Sequence, residues 1–239
     1  MMPSVSIIIP TLNEERYIAS LLTDIAAQTM CPREVIVVDG GSRDKTCEIV
    51  RQFPNVRLFC IEPSVALQRN FGAKEARGRI LFFLDADTRL KPDFLEKSLG
   101  EFLRRGLDIA CPLYFPRFPS ARLAFFYACF NFVLFIAQYF SPAGAGSLIV
   151  FADVFRESGG FDPRFRFEDI ELIRRIAEEH RFRMLYSRLV VSPRRFETYG
   201  FTRTGLMYAK LAFLFALNDH SAANRVKYPM GEYQKAKNH

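Results

Sequence analysis

The sequence predicts an α/β domain built on a doubly wound, mostly parallel sheet. Three observations predict it. Short apolar runs of strand length alternate with longer stretches of helical spacing, at a strand-to-strand interval of about thirty residues, the length of a βαβ unit. One run, residues 80–84, is apolar at every position, as a strand covered on both faces must be. Polar clusters close three of the runs (10–14, 39–42 and 85–88), at the carboxyl ends where open α/β sheets hold ligands.

Residues 5–9 form the first strand, and Asn13 is placed to cap a helix. Glu14 and Glu15 then fall in its first turn, with Tyr17, Ile18, Leu21, Leu22 and Ile25 on one face. Residues 34–38 are a second strand, after which Ser42 is placed to cap a helix bearing Ile49, Val50 and Phe53. Residues 56–61 are a third strand. Ser64 opens a helix through Ala66, Arg69, Ala73 and Ala76. The strand 80–84 follows, then an amphipathic helix over 93–104 and a strand over 108–115. Residues 148–151 and 183–191 read as further strands, with a helix over 170–179 between them.

The chain has 239 residues, 49% of them hydrophobic and 25% charged, which fits one large globular domain or a domain with a lobe. A net charge of +7 favours an anionic partner. The basic residues form no long runs, so phosphate-bearing ligands and anionic membranes are favoured over nucleic acid. Five cysteines lie outside any C-x-x-C spacing, against a zinc site or a disulfide framework and for a reducing compartment. A core strand begins almost at once, without a basic n-region and cleavage site, so no signal peptide is expected. No G-x-G-x-x-G, P-loop or G-x-S-x-G spacing occurs, which excludes dinucleotide, P-loop and serine-hydrolase readings.

Asp85 and Asp87 stand at i and i+2 after the 80–84 strand. On an extended chain both point the same way, so they can share one hard cation and the phosphates it carries. A solvated turn rich in Asp describes the triplet equally well.

Several motifs together, in order and spacing, resemble the family-2 glycosyltransferases of GT-A fold. They are the run from Val5 through Pro10-Thr11-Leu12-Asn13-Glu14-Glu15, the segment Val37-Val38-Asp39-Gly40-Gly41-Ser42, the Asp85-Ala86-Asp87 triplet, Gly159-Gly160-Phe161-Asp162 and Phe167-Glu168-Asp169. The resemblance covers about residues 4–196. It implies a nucleotide-diphospho-sugar transferase fold, with a catalytic domain over 1–200 that contains an apolar helical insert at 120–141. An apolar helix and basic tail over 201–239 complete the chain.

By the same resemblance, Pro10, Thr11, Asn13 and Glu14 hold the nucleoside, Asp39 accepts a hydrogen bond from the base with Ser42 nearby, and Arg69 lies near the nucleotide. Asp85, Ala86 and Asp87 form the D-x-D element, with Asp87 and Asp85 as ligands of Mn²⁺ or Mg²⁺. Glu168 and Asp169 match the family's E-D acid pair and are the catalytic candidates, with Asp169 the general base of inverting members. The donor is a UDP- or GDP-type sugar. Without tryptophan the chain lacks the Q-x-x-R-W motif of processive synthases. Ser192-Pro193-Arg194-Arg195-Phe196 occupies the corresponding place, and Arg194 or Arg195 can bind the leaving diphosphate. Transfer of one sugar or a few is therefore expected.

Residues 123–140 carry no charge over eighteen positions. A single membrane span there would place Asp87 and Asp169 on opposite sides of the bilayer, so spanning is disfavoured. This run and the apolar run 205–217 read as helices that lie on a membrane, form a dimer interface or pack as a lid. A peripheral membrane surface on the cytoplasmic side and a lipid-linked acceptor are the expectation. The loop 141–147 is rich in small residues that let backbone approach a ligand. Two rivals stand beside this reading. A nucleotidyltransferase would show a Gly-rich basic loop after the first strand. A non-catalytic membrane-surface module would have no need for all of Asp39, Asp85, Asp87 and Asp169.

Overall fold

The computed structural model describes residues 3–216 and 226. Among them, strands β1 (Val5–Thr11), β2 (Glu34–Asp39), β3 (Val56–Cys60), β4 (Ile80–Phe83), β5 (Ile109–Pro116), β6 (Leu148–Phe151) and β7 (Phe182–Val191) form one sheet. Its order is β3-β2-β1-β4-β6-β5-β7. Every pairing is parallel except those of β6, which runs antiparallel to β4 and β5. The helices are α1 (Ile18–Ala26), α2 (Thr46–Arg51), α3 (Val65–Glu75), α4 (Phe94–Arg104), α5 (Ala121–Ala137), α6 (Ala152–Glu157), α7 (Glu168–Ala177), α8 (Arg194–Tyr199) and α9 (Phe201–Ala216).

The central strands β1 and β4 are buried along their whole length, which explains the Ile7-Ile8-Ile9 run of β1 and the wholly apolar β4. β1 runs two residues past the predicted end, to Thr11. β4 keeps step with it only as far as Ile8, and the two then part. Pro10 faces the side that β4 has left, so its missing N–H breaks no ladder bond. The parting opens the crevice in which the site lies.

Two predicted caps do not form. α1 begins only at Ile18, after a turn, and Asn13 sits at φ +57°, a left-handed conformation that no N-cap adopts. Glu14 and Glu15 therefore lie ahead of the helix and not in its first turn. α2 begins at Thr46, and the Ser42 hydroxyl turns back to Asp39 instead of capping it. Ser64 does cap α3: its Oγ accepts from Leu67 N at 3.4 Å. Glu168 and Asp169 lie inside the first turn of α7, two residues earlier than the spacing predicts.

α5 is a 17-residue helix that packs on β5 and β7. Two buried amides fasten it. Asn131 Nδ2 donates to Tyr114 O at 2.7 Å while its Oδ1 accepts from Tyr114 N at 2.9 Å, and Gln138 Oε1 accepts from Met184 N at 2.9 Å. Among the described residues no helix is long and apolar enough to cross a membrane. The basic tail expected over 225–239 lies outside the described residues, apart from Val226.

Candidate functional site

A cleft of about 500 Å³ opens at the carboxyl ends of β1 and β4. Its walls come from most of the predicted residues: Pro10, Thr11 and Glu14 after β1, Asp85, Ala86 and Asp87 after β4, Arg69 on α3, Glu168 and Asp169 on α7, and Arg194 and Arg195 on α8.

Asn13, Asp39 and Ser42 do not line the cleft; they brace the loops behind it. Asp39 is wholly buried. Its Oδ1 accepts from Gly41 N and Ser42 N at 2.9 and 2.7 Å, and its Oδ2 accepts from the Thr11 and Ser42 hydroxyls at 2.9 and 2.5 Å. Asn13 Oδ1 accepts from Arg43 N at 2.9 Å. Gln68, which the sequence did not single out, donates to Thr11 O and Val38 O at 2.8 and 2.7 Å and ties the ends of β1 and β2 together. Cys47 and Cys60, distant in sequence, converge with Asp39 so that their ligand atoms lie within 4.8 Å of one another. Burial and the Asp39 carboxylate push the Cys47 thiol up to about 12, so it stays protonated beside that acid.

One guanidinium organises the floor. Arg69 is buried and bridges Asp85 Oδ1 at 2.8 Å and Glu168 Oε1 at 2.9 Å, with Phe161 under its plane at 5.2 Å. Burial opposes its charge, but Asp85, Glu168 and Asp169 hold it above its ordinary value. Burial pushes Glu168 up to about 7, against the pull of Arg69. The bridge fixes α3, the β4 end and α7 relative to one another, which no local sequence pattern could state.

A second guanidinium closes the opposite wall. Arg194 Nε lies 3.0 Å from Asp87 Oδ2, and its two terminal nitrogens meet Glu14 Oε2 and Oε1, each at 2.9 Å. Burial raises Asp87 above the usual carboxylate range, with Arg194 pulling the other way. It also raises Glu14, to about 7, despite the two-pronged pair. Asp85 and Asp87 thus present hard oxygen donors to one cleft, each already balanced by an arginine. Two carboxylates of this kind fit Mg²⁺ or Mn²⁺ and leave the remaining positions to phosphate oxygens and water. The 85–88 segment is also a closed turn, since Thr88 donates through N and Oγ1 to Asp85 O at 3.2 and 2.7 Å. The turn expected of an Asp-rich triplet is therefore present, and it leaves both carboxylates on the wall of the cleft.

Asp169 faces Asp85 across the loop 141–147. Its Oδ2 accepts from Gly146 N at 2.6 Å and its Oδ1 from Ile170 N at 2.8 Å. Burial raises its pKa, while Arg69 and the two N–H groups pull it down. Gly146 sits at φ +63°, and a Cβ there would meet Asp85 Oδ2 at 2.0 Å, so only glycine lets the loop pass between the two acids. Tyr114 pins the loop by accepting from Ala145 N at 2.9 Å. Alternation along β5 marks Tyr114 as a core position and gives no sign of this role. The far end of the cleft is aromatic: Phe126, Tyr127 and Phe130 of α5 meet Phe196 of α8 and Tyr208 of α9.

A family model described as glycosyl transferase family 2 matches residues 6–141. Glycosyltransferase AglE of Haloferax volcanii is 36% identical over 117 residues, which is 45% of this chain and 38% of that protein. The chain spans less than half the length of the curated relatives it matches. Two solved structures share the fold. Mannosyltransferase PcManGT of Pyrobaculum calidifontis, in complex with GDP-Man and Mn²⁺, has a TM-score of 0.72 at 22% identity, over 92% of this chain and 65% of that one. S. aureus TarS 1-349 in complex with UDP-GlcNAc has a TM-score of 0.64 at 20% identity, over 79% of this chain and 58% of that one.

Proposed function

The chain belongs to glycosyl transferase family 2, and from that premise we propose that it moves one sugar from a UDP- or GDP-type sugar to an acceptor hydroxyl or phosphate, with inversion at the anomeric carbon. The observation that carries this reading is the row Asp87–Asp85–Asp169 along one cleft, the first two balanced by arginines and the third accepting backbone N–H bonds.

Asp85 and Asp87 would hold a divalent cation, which when bound would supply charge neutralisation for the departing nucleotide. Arg194 and Arg195 add a guanidinium clamp on the donor diphosphate. Pro10, Thr11, Glu14, Asn13, Asp39 and Ser42 shape the nucleoside end, the last three by fixing the loops. Asp169 takes the proton of the acceptor O–H. That oxygen forms a bond to the anomeric carbon as the bond from that carbon to the diphosphate oxygen breaks, and the electron pair leaves with the nucleotide. A raised carboxyl pKa suits this proton transfer. Glu168 positions Arg69 and is not itself the base. The five free cysteines support a reducing, cytoplasmic setting.

The test is a thermal-shift panel of nucleotides and nucleotide sugars with and without Mn²⁺. UDP or GDP should stabilise the wild type more strongly with Mn²⁺, and Asp87→Asn should abolish that increment. An unchanged increment in the variant removes Asp87 as a metal ligand; no response to any nucleotide removes the donor assignment.

A further inference from the structure

α5 has two faces with different neighbours. Its inward face carries Phe126, Tyr127 and Phe130 into the cleft, and Asn131 and Leu134 onto the sheet. Its outward face carries Phe125, Phe132, Val133 and Ile136, at 72%, 67%, 50% and 43% exposure. Tyr139 and Phe140 continue this stripe beyond the helix, and Tyr186 of β7 joins it through its contact with Phe135. Phe118, ahead of the helix, is 79% exposed. A helix that is apolar all round and yet lies on the surface needs a cover.

The charge around the stripe identifies that cover. No acidic residue occurs between Asp108 and Asp153, or between Glu179 and Glu197. Within those stretches the guanidinium of Arg117 lies over Phe118 at 5.0 Å and that of Arg183 over Tyr139 at 4.8 Å. Arg122 is exposed near the start of α5. Aromatics flanked by arginines with apolar stems form a surface for lipid acyl chains below and anionic headgroups above. A second copy of this chain would set those arginines against one another. We propose that the outward face of α5 docks on an anionic bilayer, and that the inward face of the same helix receives a lipid-borne acceptor into the cleft. The second half rests on the glycosyltransferase reading; the docking surface does not.

The experiment is vesicle flotation of the full chain with phosphatidylcholine alone and with added phosphatidylglycerol, beside size measurement by light scattering. The paired variant Phe125→Asp and Phe132→Asp alters two exposed side chains outside the cleft. The wild type should float with the anionic vesicles, the variant should lose about tenfold or more in binding, and the nucleotide thermal shift should be the same in both. Flotation with a lost nucleotide response in the wild type keeps the docking surface and overturns only the acceptor half. Three results overturn the docking surface: no flotation with either vesicle, flotation that survives the double substitution and vanishes in high salt, or a dimer that the substitution abolishes without any flotation.

Discussion

Arg194 stands beside Asp87, where the proposed divalent cation would bind. It sits between Asp87 and Glu14, so a divalent ion at Asp87 would compete with it for that carboxylate. Arg194→Gln should therefore tighten Mn²⁺ binding in the absence of nucleotide by about tenfold, some 1.4 kcal/mol, as measured by calorimetry. Arg195→Gln, which removes a nearby charge without that contact, should change it less. Equal effects from both would reduce Arg194 to a background charge. Asp169 calls for the opposite expectation. Asp169→Asn keeps an acceptor for Gly146 N but cannot take a proton. Nucleotide affinity should persist while kcat falls by about 10²–10⁴-fold; retained turnover would exclude Asp169 as the base.

Elements place these side chains by clamps that secondary-structure patterns do not describe. Length and hydrophobicity make α5 resemble a membrane segment, whereas Asn131 makes it part of the domain by satisfying both backbone groups of Tyr114. Tyr114 in turn holds the loop that carries Gly146 between Asp85 and Asp169. Asn131→Ala leaves a buried N–H and C=O without partners and should cost about 2–4 kcal/mol, read as a fall in the urea midpoint at unchanged m-value. A loss below about 0.5 kcal/mol would mean that the clamp carries no weight. The caps at Asn13 and Ser42 failed for a related reason. Both residues fit the N-cap preference, but Asp39 draws Ser42 into its own hydrogen bonds, and the turn after Asn13 delays α1.

At the scale of the molecule, the cleft concentrates buried acids, and this makes stability depend on pH. Glu14 and Glu168 rise by burial from an ordinary 4.5 to about 7. Between those values the folded state binds protons that the unfolded state has released, so stability is greatest at the acid end and falls as pH rises through 7. Each group contributes a slope of up to about 1.4 kcal/mol per pH unit. With metal chelated, the urea midpoint should be higher at the lower end of this window than above it, and Glu168→Gln should flatten the dependence. A midpoint that rises with pH across the window would contradict the burial of these acids. Divalent ions and donor should oppose the loss by binding where the acids are ionised.

The sequence by itself determined the alternation of strands and helices, the polar strand ends that make one crevice, and the family. These follow from periodicity, burial on both faces and short motifs, all of which are local. The tertiary structure alone decided the antiparallel β6 between β4 and β5, the Arg69 bridge between residues 16 and 99 positions away along the chain, and the retreat of Asp39 behind the cleft. It also decided that one helix both lines the cleft and presents an apolar face outward. Each depends on which distant groups share one low-dielectric space, where an unpaired charge or unsatisfied amide is costly. Spacing along a chain carries no record of that sharing.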